Sequence, residues 1–382
     1  MRRRDDGAAL LGGSPLRLLR LAPRARLLLA GDRLVVGDGT TAALAARLLD
    51  AGLAAPDLPP AAATARDVTV VIPVRDRAVE LARLLAALRS DLGDLPVVVV
   101  DDGSAAPVCA AGVRVIRHDV ARGPAAARNA GLRAARTAFV AFLDSDCVPV
   151  AGWLPALLPH LADPRLAVVA PRIVPLPGSR GWHTAYEDAV RALDMGPCPA
   201  PVRPLSAVSY LPSAALLVRR DALGDGFDET MRVAEDVDLV WRLAAAGWRV
   251  RYEPGAAVAH EHPVTTGEWL RRRAFYGTGA ALLAARHGAA VAPVVLAPET
   301  ALAWALAVAG GRRGRTAALG VLGVSVVRLA RRLSAPDRPA GLPFAAALVG
   351  RGVLASGRTL ARAATRHHWP LVVPAAVASP RV

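Results

Sequence analysis

Four short apolar runs set what this chain can fold into: Val68-Thr-Val-Val-Ile72, Val97-Val-Val-Val100, Val113-Arg-Val-Ile116 and Phe139-Val-Ala-Phe-Leu143. Each has the length of a strand, and three of the four lack the polar alternation of a half-exposed strand. They are therefore expected in a sheet covered on both faces. Helical patterns separate them: Ala78 to Leu88 is amphipathic, and Gly123-Pro124 opens a helix through Arg136. Strands alternating with helices imply β-α-β units, a parallel sheet and an α/β class. Pro73 is expected to end the first strand. Farther on, Leu166 to Ala170, Ala214 to Val218 and Ala256 to Ala259 read as strands, and Val237 to Ala246 as a helix ended by Gly247. Residues 174–212 are rich in Pro and Gly and read as irregular.

Two segments flank this pattern. Residues 1–65 read as a small α+β module, winged-helix-like in outline, with strands at Leu16 to Leu21 and Arg26 to Ala30 and a helix from Thr40 to Ala51 closed by Gly52. A packing extension and a recognition module are equally good readings of it. Pro56-Asp-Leu-Pro-Pro60 makes the linker. The α/β domain then spans 66–285, and 286–382 is a helical, apolar and Arg-rich segment. Its apolar stretches, Thr300 to Ala309 and Thr316 to Val327, are split by Arg312-Arg313-Gly-Arg315. Each is short of the roughly 20 residues a spanning helix needs. A helical hairpin packed on the protein is the first reading, and peripheral contact with a membrane surface the second.

At 53% hydrophobic, the 382 residues can bury a sizeable core. The formal charge of +15 comes from Arg alone; the chain has no Lys or Gln, and Asn129 is its single Asn. That bias points to a GC-rich genome, so an individual Arg says less than usual. The positive field favours anionic substrates or an anionic surface. No finger, basic-region or RNA-binding signature accompanies it, so nucleic acid is not an expected partner. Cys109, Cys147 and Cys198 form an odd set without metal-ligand spacing, which suits free thiols in a reducing cytosol. The start of the chain lacks a signal-peptide core, and a cytoplasmic location is expected.

The chemistry is concentrated in acidic motifs. Asp144-Ser-Asp146 follows the fourth apolar run at once, at the strand end where open α/β sheets bind ligands. Two carboxylates at i and i+2 suit a divalent cation carried in by a diphosphate; an N-cap or turn is the plain alternative. Glu235-Asp236-Val-Asp238 opens a helix, where the dipole favours acids. One carboxylate would serve that purpose, so three leave a candidate general base. Asp101-Asp102-Gly103-Ser104 reads as a turn or as a contact to a nucleotide base. Arg128, beside Asn129, reads as a bidentate partner of a base or diphosphate, or as a solvated helix residue. His260 and His262 follow a strand and can complete a carboxylate metal shell. Together these motifs suggest a metal-dependent transferase acting on a nucleotide-linked donor.

In this order VTVVIPVRDR, VVVVDDGS, GPAAARNAGL, FVAFLDSD and AEDVDLVWRL resemble the inverting family 2 glycosyltransferases of GT-A fold. Similarity spans Val68 to about His262. YLPSAALLVRRDAL, GFDETMRVAEDVDLVWRLAAAGWRVRYEP and the RLLDAGLAAP module resemble, more narrowly, the mycofactocin-system glycosyltransferases, which attach β-linked glucose to a redox cofactor made from a ribosomal peptide. The resemblance implies that Asp102 and Arg128 hold the uridine, with Pro73 and Arg75 beside them, and that Asp144 contacts the ribose. Asp146 binds Mg²⁺ or Mn²⁺ between the donor phosphates, with His260 as an additional ligand. Asp236 is the base, with Glu235 positioning it. Tyr210, Ser213 and Trp241 meet the acceptor. Ala234 stands where the family commonly has Gly before Glu-Asp.

The reaction so implied moves glucose from UDP-glucose to a small peptide-derived acceptor with inversion. One alternative is a family 2 transferase adding rhamnose or galactofuranose to a cell-envelope lipid or polysaccharide. Another is a non-catalytic peptide-recognition protein.

Overall fold

A computed structural model describes residues 2–4, 7–29, 31–177, 182, 185–187, 193–261, 265–291, 294, 296–334, 341–366, 372, 374 and 377–378. By compactness the chain divides into two units, one of residues 1–2 and 10–291, the other of 3–9 and 292–382.

The larger unit is built on β1 (Val68–Val74), β2 (Val97–Asp102), β3 (Arg114–His118), β4 (Phe139–Leu143), β5 (Cys147–Pro149), β6 (Leu166–Pro175), β7 (Ala200–Pro201), β8 (Ala215–Arg219) and β9 (Arg249–His260). These join one sheet in the order β7-β9-β6-β8-β4-β1-β2-β3, and β5 pairs with β9. Because β-strand side chains alternate, Val71 and Val70 face opposite sides. Val71, Val100 and Phe142 belong to one core; Val70, Ile72 and Leu143 belong to the other. Helix α1 (Ala78–Leu92) contributes Leu81, Leu84, Leu85 and Leu88 to the second core. Helices α2 (Pro124–Ala134) and α4 (Glu235–Ala245) cover the first, while α3 (Trp153–Leu157) adds to the second.

Three expectations change. The sheet is mixed: β1 to β4 are parallel, but β8 runs antiparallel to both β4 and β6, pairing Ala215 with Leu143 and Arg219 with Phe139. A strand reached through the long 174–212 connection can enter from either end, and periodicity does not record its direction. β1 also runs through Pro73 to Val74, because its pairing with β4 covers only Val68 to Val71, so no ladder partner on that side awaits Pro73. Residues 26–29 are not a strand. Pro23–Leu28 is a helix with Pro at its first turn, where the missing N–H is harmless, and Ala30 lies outside the described residues.

That helix and Gly39–Asp50 enclose Leu10, Leu29, Leu48 and Leu53. Asp38 caps the second helix by accepting from the Thr41 N–H at 2.7 Å. At its last residue Asp50 meets Arg249 at 3.0 Å, Arg203 at 3.6 Å and Arg165 at 3.8 Å. The N-terminal elements are thereby tied to the rim of the sheet.

In the smaller unit, Pro298–Ala309, Gly311–Leu333 and Leu342–Arg366 are helices. The first two enclose the expected stretches, but the break between them falls at Gly310, and Arg312, Arg313 and Arg315 lie in the opening turns of the second. Arginine is a good helix former, so a charged turn there does not break the helix. No helix among the described residues is long and apolar enough to cross a membrane.

Helix α2 lies unusually deep, with Ala125 through Leu132 all buried. Gly131 is what allows this. A Cβ there would overlap the Val71 side chain, with Cγ2 at 3.1 Å, and Val71 is wholly buried in the central strand. Gly131→Ala is expected to lower stability by about 1–3 kcal/mol through overpacking. Urea unfolding of Gly131→Ala and of the double variant with Val71→Ala checks this: the pair should recover part of the loss.

Candidate functional site

The antiparallel entry of β8 beside β4 creates the site. The N–H of Asp144, just past β4, donates to Ala214 O at 3.0 Å, immediately before β8. The neighbouring Ser213 N–H donates to Oδ2 of Asp236 at 3.0 Å. Two acidic motifs about ninety residues apart in sequence therefore share one strand junction. Asp236 Oδ1 also accepts the Val237 N–H at 2.8 Å, as expected of an acid in the first turn of α4.

Arg128 joins the motifs from beneath. Nη2 donates to Asp144 Oδ1 at 2.6 Å and Nη1 to Glu235 Oε1 at 2.8 Å, at a side chain only 3% exposed. Burial works against its charge, but Asp144 and Glu235 more than offset this, and the guanidinium pKa is raised. Both terminal nitrogens are thus engaged by protein carboxylates, although sequence reasoning expected Arg128 to hold the donor. The second acidic motif, not visible as a neighbour in sequence, shares this guanidinium with the first.

Asn129, the single Asn, acts beside it. Its side chain donates to Phe227 O at 2.7 Å and accepts from Phe227 N at 2.9 Å, pinning the loop that leads to α4. That loop ends at Ala234, whose φ of +62° is left-handed. Glycine is favoured in this conformation for its missing Cβ, so Ala234 is an uncommon residue to find here.

Asp144, Asp236, Glu235, Arg128, Ser213, Tyr210 and His260 line one cavity of about 500 Å³. Its opposite wall is α5 (Thr266–His287), which contributes Arg272, Phe275, Tyr276, Ala280 and Leu283. Sequence reasoning missed this helix; Thr265 accepting from the Glu268 N–H at its start, and Gly288 at its end, are the signals that mark it.

Asp146 is buried at the cavity's edge. Its Oδ1 lies 3.5 Å from His260 Nε2, and Oδ2 accepts from Arg77 Nη1 at 2.8 Å. Burial pushes this carboxyl up, yet His260, Arg77 and Arg272 outweigh it and hold it below the usual range. A buried carboxylate oxygen and an imidazole nitrogen converging in this way fit a divalent cation that takes its other ligands from a diphosphate and water. No group of three or more metal-binding side chains occurs among the described residues. His262 lies outside the described residues.

The remaining expected residues sit elsewhere. Asp102, at the end of β2, accepts from the N–H groups of Arg122 at 2.9 Å and Gly123 at 2.8 Å and meets His118 Nδ1 at 2.7 Å. Pro73 closes on β1, and exposed Arg75 pairs with Asp76 at 3.6 Å. None of the three lines the cavity. Trp241 does not reach it either: its indole is buried, donates to Ser209 O at 2.7 Å and packs edge-on against His287. A tryptophan on the apolar face of an amphipathic helix goes to the core. Asp238 is engaged by Arg242 at 2.7 Å and His287 at 2.9 Å, which leaves Glu235, held by Arg128, and Asp236 as the acids of this turn that line the cavity.

The Glycosyl transferase family 2 profile matches residues 69–223. The chain is 50% identical over 387 residues to the pre-mycofactocin glycosyltransferase of Mycobacterium tuberculosis, covering 98% of this chain and 80% of that protein. It is 31% identical over 223 residues to the succinoglycan biosynthesis protein ExoO of Rhizobium meliloti, covering 52% and 61%. Among solved structures, the mannosyltransferase PcManGT from Pyrobaculum calidifontis, in complex with GDP-Man and Mn²⁺, superimposes with a TM-score of 0.46 at 20% identity, over 86% of this chain and 90% of that one.

Burial, then the adjacent Glu235 carboxylate, push Asp236 up to about 6, against the opposing pull of the Ser213 N–H and Arg128. Glu235→Gln removes the nearby negative charge and is expected to lower that value. Carboxyl-carbon NMR titration of wild type and Glu235→Gln between pH 4 and 8 checks it (about two units on each side of the expected midpoint).

Proposed function

The chain belongs to the family 2 glycosyltransferases, within them to those of the mycofactocin system, and from that premise we propose that it moves glucose from UDP-glucose to a hydroxyl of the peptide-derived mycofactocin precursor, forming a β-linkage. It is an enzyme of GT-A fold, and its acceptor is the mycofactocin precursor. The observation that carries the mechanistic reading is Asp236, a part-buried carboxylate with a raised pKa lining the cavity beside Asp144.

A base is most effective when its pKa lies near the operating pH. Asp236 takes the proton of the acceptor hydroxyl as its oxygen bonds to the anomeric carbon. The bond from that carbon to the diphosphate oxygen breaks on the opposite face, and UDP leaves with the electron pair. This single displacement inverts the α-linked donor. Glu235, held by Arg128, keeps the base raised and aimed. Asp144 is placed to meet the donor ribose, and Pro73, Arg75 and Asp102 form the strand-end rim where the uridine lies. Tyr210 and Ser213 border the acceptor. Asp146 and His260 would hold Mg²⁺ or Mn²⁺, which when bound supplies positive charge against the departing diphosphate.

Asp236→Asn keeps size and shape but removes the proton acceptor. Transfer measured by mass spectrometry, with UDP-glucose and the precursor, should fall by about 10²–10⁴-fold while UDP affinity stays near wild type. An active Asp236→Asn enzyme would sink the assignment. A panel of UDP- and dTDP-sugars in the same assay tests the glucose donor.

A peripheral membrane role is favoured by one observation in the smaller unit. Along helix Gly311–Leu333, exposed Leu319, Val324 and Val327 share the surface with exposed Arg312, Arg313, Arg328 and Arg331. Apolar side chains among arginines match an anionic bilayer interface. The full chain should float with phosphatidylglycerol vesicles but not with phosphatidylcholine vesicles, and the four-fold Arg→Gln variant should stay at the bottom of the gradient.

A further inference from the structure

Arg77 takes no part in the reaction as derived, yet it holds a carboxylate on which that reaction depends. It sits at the start of α1, 69 residues before Asp146, and donates Nη1 to Asp146 Oδ2 at 2.8 Å. The two ends of this pair differ in solvation: the Arg77 side chain is 34% exposed and that of Asp146 only 9%. Arg77 Nη2 lies 3.9 Å from Glu268 Oε1, a loose second contact. Arg272, the other guanidinium near this acid, is more firmly set. It donates Nε to the Tyr276 hydroxyl at 2.8 Å, stacks over that ring at 5.6 Å and approaches His260 Nε2 at 3.3 Å. Arg77 is therefore the less firmly held of the two cations, part-exposed and anchored by two carboxylates alone.

A divalent cation at Asp146 and the Arg77 ion pair draw on the same carboxylate, and two positive charges within about 4 Å repel appreciably at the low effective dielectric of a part-buried site. Binding the cation alone therefore works against the Arg77 ion pair. When a diphosphate arrives with the cation, the displaced guanidinium gains an anionic partner suited to its fork geometry. We propose that Arg77 is an internal counter-ion of Asp146 that competes with the catalytic cation and passes to the donor's diphosphate, so that cation and nucleotide bind cooperatively. This rests on the reading of Asp146 and His260 as cation ligands. Its consequence is that the site discourages a bare cation and closes its charge balance only with donor present. Such coupling is reciprocal: whatever factor UDP adds to cation affinity, the cation adds to UDP affinity.

The experiment is direct Mn²⁺ binding to the full chain, followed by the electron paramagnetic resonance signal of free Mn²⁺, with and without UDP. Wild type should bind Mn²⁺ at least about 5-fold more tightly with UDP than without, the lower end of typical coupling. Arg77→Gln should bind Mn²⁺ alone more tightly than wild type and show a smaller gain from UDP, keeping only the part that the diphosphate oxygens supply as ligands. Arg77→Lys keeps a competing charge and should resemble wild type without UDP. An Arg77→Gln protein that matches wild type without UDP, or keeps the full UDP enhancement, overturns the proposal. Asp146→Ala separates the two levels: if it binds Mn²⁺ as wild type does, the cation site itself has been misplaced, and the role of Arg77 falls with it.

Discussion

The buried bridge from Arg128 to Asp144 and Glu235 is the interaction on which the site depends. One cation, 3% exposed, stands between two carboxylates from motifs about ninety residues apart. Removing one partner of a buried ion pair typically costs about 3–5 kcal/mol, because the remaining charge is left without compensation. Here the loss of Arg128 would leave two acids facing each other at the β4 end of the sheet. The helix that carries the cation can reach this depth only because its small residues, Ala125 to Ala127 and Gly131, let it press on the central strand. Arg128 is thus where packing and chemistry meet.

The same arrangement drives two nearby acids in opposite directions. Asp236 is raised to about 6 because it is buried beside Glu235, and Arg128 counters this incompletely. Asp146 is the less exposed of the two but is drawn below the usual range by His260, Arg77 and Arg272. Separated environments are how one site keeps one carboxylate ready to accept a proton and another permanently charged. The divergence follows from which neighbours each motif meets, since both are aspartates in short acidic runs.

Helix α4, which carries Glu235 and Asp236, is aimed from outside the cavity. Asn129 holds the approach loop at Phe227, Ala234 turns the chain through a left-handed conformation, and Asp238 is locked by Arg242 and His287. The last contact also fastens the end of α5 to the start of α4, so the wall of the cavity and the turn that carries Asp236 are held by one acid. Trp241 packs against the same histidine, which explains why a residue expected at the acceptor lies in the core.

Much of this was legible in the chain. Apolar runs at 68–72, 97–100 and 139–143 located the parallel half of the sheet, since continuous apolar strands are needed only where both faces are covered. Acids directly after a strand, and acids opening an amphipathic helix, marked Asp144, Asp146, Glu235 and Asp236, because local strand and helix ends place such groups without distant partners. What the sequence alone left open was everything that depended on direction and neighbourhood. The antiparallel entry of β8, the diversion of Arg128 to two carboxylates, the burial of Trp241 and the wall made by α5 each arise from segments far apart in the chain. Only the closed tertiary structure decides them, because ion pairs and burial depend on which surfaces meet, while propensity and periodicity report each segment by itself.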